Sequence, residues 1–222
     1  MSDDGFIPLA FREFPPAEMQ QRADDLFAEL NARRSVRDFS DRPVDPHLIA
    51  TAIRIASSAP SGAHRQPWKF VAVSDPEMKR RIREAAEEEE RASYEERMSD
   101  EWLQALQPFG TTWQKPFLET VPWIVVVFEE PYRIGQNGQV EKNYYVKESV
   151  GIACGFFIAA LHHMGLATLT HTPSPMGFLR ELLQRPDHER PFILFPIGYP
   201  AEGAVVPKLQ RKALEDVSIW FS

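Results

Sequence analysis

The chain holds a single cysteine, Cys154. No intramolecular disulfide can form, so stability has to come from a packed core, and a reducing, cytoplasmic setting is expected. Its neighbours Ala153, Gly155, Phe156 and Phe157 offer no cation to lower a thiol pKa, so Cys154 reads as a small apolar core residue and not as a nucleophile. Long apolar runs are missing as well. The longest, VGIACGFFIAAL, falls short of the about 20 residues that cross a bilayer, and MSDDGFIPLAFREF has no basic stretch followed by an apolar one. Neither a membrane anchor nor a signal peptide is expected. There is no basic excess either: 32 acidic residues stand against 25 Lys and Arg, a net charge of -7. That excludes a broad nucleic-acid face and confines any anion site to a local cluster.

The common chemical signatures are also absent. There is no GxGxxG, no P-loop and no GxSxG, and His47, His64, His162, His163, His171 and His188 form neither HExxH nor a His/Cys pattern with metal spacing. No metal site is expected. The adjacent His162 and His163 point to different faces of a helix and read as packing or polar surface.

What is present is 43% hydrophobic content over 222 residues, enough for one sizeable domain or one domain with an appended lid. Met19, Ala23, Leu26, Phe27 and Leu30 recur at helical spacing and predict an amphipathic first helix running toward Ala32. Asp45 followed by Pro46 predicts the start of a second, burying Leu48, Ile49, Ala52, Ile53 and Ala56. Asp75 with Pro76 repeats that signal ahead of the charged run MKRRIREAAEEEERASYEERM. Its apolar positions barely extend beyond Met78, Ile82 and Ala85, so its distal half is either solvated or covers something. KFVAVS, WIVVVF, LATLT and FILFPIGYP read as strands, RIGQNGQV as a turn, 143–164 as a central apolar helix and 177–184 as a short one. The pattern is α+β with helices outnumbering strands. Val217, Ile219, Trp220 and Phe221 are too apolar to dangle in water, and the expectation is that they pair with a sheet of this or another subunit.

Three stretches could carry chemistry. In ARRSVRDFS, Arg33, Arg34 and Arg37 surround Ser35. Planar guanidinium groups grip a phosphate through paired hydrogen bonds of about 1.5 to 3 kcal/mol each, although the same residues also suit a basic helix end complementing its dipole. Arg211 could add a fourth cation if the tail folds back. APSGAHRQPW offers a rigid loop with free backbone N–H groups, or a plain helix-to-strand turn. THTP, residues 170 to 173, sets two hydroxyls and an imidazole just past a strand, where ligands on sheets collect, or it merely caps the strand.

Taken in order, RRSVRDFS, APSGAHRQPW, THTP and IGYP resemble the FMN-binding nitroreductase superfamily from Ala32 onward. The resemblance implies an α+β sandwich with a central antiparallel or mixed sheet flanked by helices. It also implies one FMN-binding domain over 1–222 that forms a domain-swapped homodimer, with 204–222 reaching the other subunit and FMN in the interface. By position it assigns the FMN phosphate, ribityl and pyrimidine parts to Arg33, Arg34, Ser35 and Arg37, with Arg211 closing on the phosphate. Further FMN contacts fall to Ser61, Thr170, His171 and Thr172.

Within that superfamily the chain is most similar to the iodotyrosine deiodinase family, because the loop reads PSGAH and because EEEERASYEERM and TTWQK look like its substrate lid, over 87–115. There Glu90 would meet an α-ammonium, Lys115 an α-carboxylate, and Tyr94 would supply a hydrogen bond and an aromatic contact. From the residues alone, the EEEE run also suits a solvated helix face. The implied reaction is reductive dehalogenation of a halotyrosine by single electrons from reduced FMN. In it the Ala63 N–H binds the phenolate oxygen, and the Thr172 hydroxyl, on flavin N5, favours one-electron steps. NAD(P)H is the implied ultimate donor, directly or through a flavin-reducing partner protein. The chain departs from the family at His171, where a third threonine is usual, and in showing no membrane anchor like that of the animal enzymes. The competing readings are a general NAD(P)H-dependent nitroreductase or flavin reductase, and a flavin-binding protein without turnover.

Overall fold

A computed structural model describes residues 5–221, which separate into two compact units dividing between Arg33 and Arg34. The first contains helix α1 (Pro16–Ala32), begun by a proline at its first position and braced by the Glu18–Arg22 pair at 2.9 Å. Arg12 and Arg22 both lie over the Phe14 ring. The expected helix is there, but none of its residues is buried. An apolar stripe needs a second element to pack on, and the described residues of this unit form none.

The second unit is organised by β2 (Trp123–Glu129), whose WIVVVFE run is buried on both faces. It pairs antiparallel with β1 (Trp68–Val73) on one side and β6 (Arg190–Gly198) on the other, and β5 (Ala167–Thr168) pairs antiparallel with β6. Because side chains alternate along a strand, Val125 and Val127 face one core while Ile124, Val126 and Phe128 face a second. Helices α2 (Pro46–Ala56) and α6 (Val146–His163) cover the first; α3 (Pro76–Ala92), α5 (Phe117–Thr120) and α7 (Gly177–Leu182) cover the second. The result is a sheet between two helical layers.

Both cap signals are realised. Asp45 accepts the His47 N–H at 2.8 Å and Asp75 the Met78 N–H at 2.7 Å. Cys154 sits buried in α6, where burial pushes its thiol up to about 12. The segment RIGQNGQV is more than a turn: β3 (Tyr132–Ile134) and β4 (Val140–Lys142) form a hairpin around it.

Two expectations are refined. The helix after Asp75 is not α-helical throughout, since α3 widens at Ser93 into a wide five-residue helical turn, Ser93–Arg97, which is followed by α4 (Asp100–Leu106), capped by Ser99. Beyond Gly198 no strand forms among the described residues, and Val217, Ile219, Trp220 and Phe221 stay exposed, so the tail does not pair with a sheet of its own chain. The edge beyond β5 is already taken by Ser35, which bridges Thr168 in parallel.

Candidate functional site

The bridge between Ser35 and Thr168 also builds the site. The Val36 N–H donates to the Thr168 carbonyl at 3.3 Å, which draws the arginine-rich segment alongside β5 and sets Arg37 beside the residues that follow it. Those residues stay extended, because His171 exchanges both backbone hydrogen bonds with Leu194 at 2.9 Å. Side chains then alternate: Leu169 and His171 are buried, while Thr170 and Thr172 are exposed. The buried imidazole meets the Phe117 ring edge-on, centroids 6.0 Å apart.

A cavity of about 190 Å³ opens over this strand end, walled by Arg37, Glu90, Tyr94, Lys115, His171 and Thr172 among others. The far half of α3, which had no apolar stripe, is its roof. Glu90 comes from the last turn of α3 and Tyr94 from the wide turn after it, a geometry frequent at functional sites. The Tyr94 hydroxyl donates to the Thr111 carbonyl at 3.4 Å. Lys115 returns from the other side of the lid. Its Nζ lies 3.4 Å from Glu90 Oε2, donates to Thr111 Oγ1 and the Thr112 carbonyl, and stands 5.5 Å from the Tyr94 ring centroid. Trp102, from α4, is at the rim.

Two residues that the sequence did not single out hold Lys115 in place. Its backbone N–H donates to Glu87 Oε1 at 2.7 Å, and Glu87 Oε2 accepts from Arg83, which also reaches Glu119 at 2.7 Å. The only sequence signal was an Arg and a Glu four apart, which any solvated helix shows.

Electrostatics follow from the burial of opposite charges. Burial pushes the Glu90 carboxyl above its ordinary value, and Lys115 works against that; burial pushes Lys115 down, and Glu90 works against that. Burial also raises Tyr94. His171 is driven down to about 3, first by burial and then by Lys115 and Arg37, so its ring is neutral. The cavity thus offers an acceptor for a cation and a donor for an anion side by side, next to an aromatic ring. That set suits a zwitterion.

The remaining predicted residues lie elsewhere. Arg34 donates to the Pro207 carbonyl, tying the C-terminal extension to the arginine segment, and Arg211 is exposed farther along that extension. Ser35 is half-buried beside Thr168, and Arg33 caps α1 in the first unit. Ser61 and Ala63 sit on a loop that does not line the cavity. The Ser61 hydroxyl accepts the Gln66 N–H at 2.9 Å, and Ala63 takes a left-handed φ of 49°. The neighbouring Gly62 donates to Ser149 Oγ at 3.3 Å, and a Cβ there would come within 2.7 Å of the Tyr144 carbonyl oxygen. Only glycine permits that approach to the start of α6.

For a phosphate-bearing polar cofactor the donors fit. Among the described residues, Arg37 stacks on Phe109 at 5.7 Å and pairs with no carboxylate, and the Ser35, Thr170 and Thr172 hydroxyls engage no partner.

Residues 30–199 match the Nitroreductase family. Over 216 residues the chain is 58% identical to an iodotyrosine deiodinase of Haliscomenobacter hydrossis, covering 97% of each. The chain belongs to the nitroreductase family, in its iodotyrosine deiodinase branch. Human iodotyrosine deiodinase 1 is 42% identical over 214 residues, 96% of this chain and 74% of that one. Among solved structures, oxidised iodotyrosine deiodinase bound to FMN and 3-iodo-L-tyrosine superposes with a TM-score of 0.74 at 30% identity, over 85% of this chain and 96% of that one. As a member of this branch the chain has the nitroreductase-like α+β fold, an antiparallel sheet flanked by helices, and is an FMN-dependent oxidoreductase. No helix among the described residues is long and apolar enough to cross a membrane.

Proposed function

We propose that this chain reductively dehalogenates a halotyrosine, releasing iodide and tyrosine from iodotyrosine. The observation that carries the reading is the Glu90–Lys115 pair, 3.4 Å apart, roofing a cavity whose floor is Thr170, His171 and Thr172. When bound, FMN supplies electrons one at a time to the carbon–halogen bond. Arg33, Arg34, Ser35 and Arg37 would hold its phosphate, ribityl and pyrimidine parts, with Arg211 on the phosphate. Ser61, Thr170, His171 and Thr172 would complete its site, the Thr172 hydroxyl facing flavin N5.

On the substrate side, Glu90 accepts the α-ammonium and Lys115 donates to the α-carboxylate. The zwitterion replaces one buried ion pair with two, so neither protein charge is left without a partner. Tyr94 adds its ring and hydroxyl, and α3 with α4 keeps water from the reacting carbon. The Ala63 N–H binds the phenolate oxygen. Since its loop does not line the cavity of its own chain, it reaches substrate across a homodimer interface. Supporting a homodimer are the exposed Ile152 and Phe156 of α6 and the exposed Val217, Ile219, Trp220 and Phe221 of the extension at 204–222. We further propose NAD(P)H as the ultimate donor, directly or through a flavin-reducing protein, and a cytoplasmic setting that keeps Cys154 reduced.

The test is anaerobic. Dithionite-reduced, FMN-loaded protein is mixed with 3-iodotyrosine while flavin absorbance, iodide and tyrosine are followed. Stoichiometric iodide and tyrosine with flavin oxidation is the expected result. Flavin that stays reduced with iodotyrosine but is promptly oxidised by a nitroaromatic would overturn the proposal in favour of a general nitroreductase.

A further inference from the structure

His171 is buried, 6% exposed, with both backbone groups paired to Leu194. Its Nδ1 lies 3.9 Å from Glu90 Oε1, and its Nε2 is buried with no hydrogen-bond partner among the described residues. A neutral imidazole carries one N–H and one lone pair. With the proton on Nε2, a buried N–H would go unpaired and a lone pair would face the Glu90 carboxylate. With the proton on Nδ1, the N–H faces the carboxylate and only a lone pair is unpaired. The second tautomer is the favourable one.

We propose that His171 is a positioning residue: its Nδ1–H holds Glu90 Oε1, so that Oε2 is presented to the substrate's α-ammonium once Lys115 leaves it for the carboxylate. The inference rests on the assignment of Glu90 to the ammonium. Lys115 Nζ lies 3.4 Å from Oε2, and the gap from Oε1 to His171 is about 1 Å longer than a hydrogen bond. Transfer of Lys115 to the substrate releases the carboxylate to close that gap. The ionisable groups around Glu90 are Lys115 from the lid return, Tyr94 from the wide turn, Arg37 from the segment beside β5, His171, and Glu87 one turn earlier on α3. Of these only His171 combines full burial beneath Glu90 with a nitrogen left unpaired.

Binding of a cation needs Glu90 ionised, so affinity is present above the Glu90 pKa and falls as pH drops through it. Loss of the Nδ1–H removes a donor to the charged form and moves that limb to higher pH.

The experiment measures Kd by calorimetry on the oxidised, FMN-loaded wild type, E90Q, H171F, H171N and H171Q, with 3-iodotyrosine and with its deaminated analogue 3-(4-hydroxy-3-iodophenyl)propanoate, across pH. H171F should weaken iodotyrosine about tenfold, the loss of one hydrogen bond to a charged group, and weaken the deaminated analogue distinctly less, because that ligand brings no ammonium for Oε2 to meet. H171N, whose amide nitrogen takes the place of Nδ1, should restore affinity, and H171Q should not. Equal weakening of both ligands in H171F, or equal Kd for H171N and H171Q, overturns the proposal. If H171F fails to retain FMN, the H171N and H171Q pair decides alone. E90Q separates the two levels: wild-type affinity in E90Q sinks the ammonium assignment itself, while a weak E90Q beside an unaffected H171F sinks only the role of His171.

Discussion

Glu90 Oε2 and Lys115 Nζ lie 3.4 Å apart with side chains 13% and 5% exposed, so two opposite charges from the walls of the cavity pair with each other. Desolvation makes such a pair a poor source of net stability, but removing one member leaves the other charged and unpaired. E90Q and K115M should each lower unfolding free energy by about 3 kcal/mol, and the double variant should recover most of the loss. Denaturant melts of the four proteins check this. All three variants should lose affinity for iodotyrosine, including the double variant whose stability returns.

Glu87 is the anchor for the backbone of Lys115, through an N–H···O bond of 2.7 Å. E87A should raise KM for halotyrosine about tenfold with kcat little changed, because the lysine is misplaced while the chemistry is untouched. E87Q keeps an acceptor for the N–H and should fall between. Steady-state kinetics with a common donor tests the order.

Thr172 is exposed at the strand end, so its hydroxyl adds little to the core. T172A should keep the melting temperature of the wild type, lose iodide release, and keep or gain nitroaromatic reduction. Equal loss of both activities would remove its assigned part in one-electron steps.

His171 also makes stability depend on pH. Its pKa falls from 6.5 to about 3 on folding, with burial as the main cause. Between those values the unfolded chain binds a proton that the folded chain refuses. The stability contribution is therefore complete above pH 6.5 and is lost as pH falls toward 3, with a slope of up to about 1.4 kcal/mol per pH unit. H171N should flatten that limb in denaturant melts recorded from pH 7 to pH 4.

The fold was legible where the signal is local. Asp45–Pro46 and Asp75–Pro76 mark helix starts by cap chemistry that acts within one turn, and WIVVVF is apolar on both faces because a central strand must be. The partner of the tail was not legible. The tail's apolar residues would suit a sheet edge, but Ser35 already occupies the one beyond β5, and a pairing between such distant residues leaves no local trace. The site divides the same way. Glu90 and Tyr94 could be placed on one face by their spacing. Glu87 could not, because an Arg–Glu pair four apart looks the same on a solvated helix as beneath a lid. Alternation after Leu169 turns His171 inward, yet the carboxylate it meets comes from a helix about eighty positions earlier in the sequence.

The wide turn at Ser93–Arg97 makes the roof of the site sensitive to helical phase. Each residue of a helix advances the chain by about 100°, so deleting one residue there would rewind the segment and swing α4, with Trp102, round the axis and off the rim. Changes of length are better absorbed between Gly110 and Gln114, which has no helical register to lose. Divergence in substrate preference within this branch should therefore accumulate as insertions in that return loop and as side-chain exchanges on α4, with the residue count between Glu90 and Ser99 held fixed.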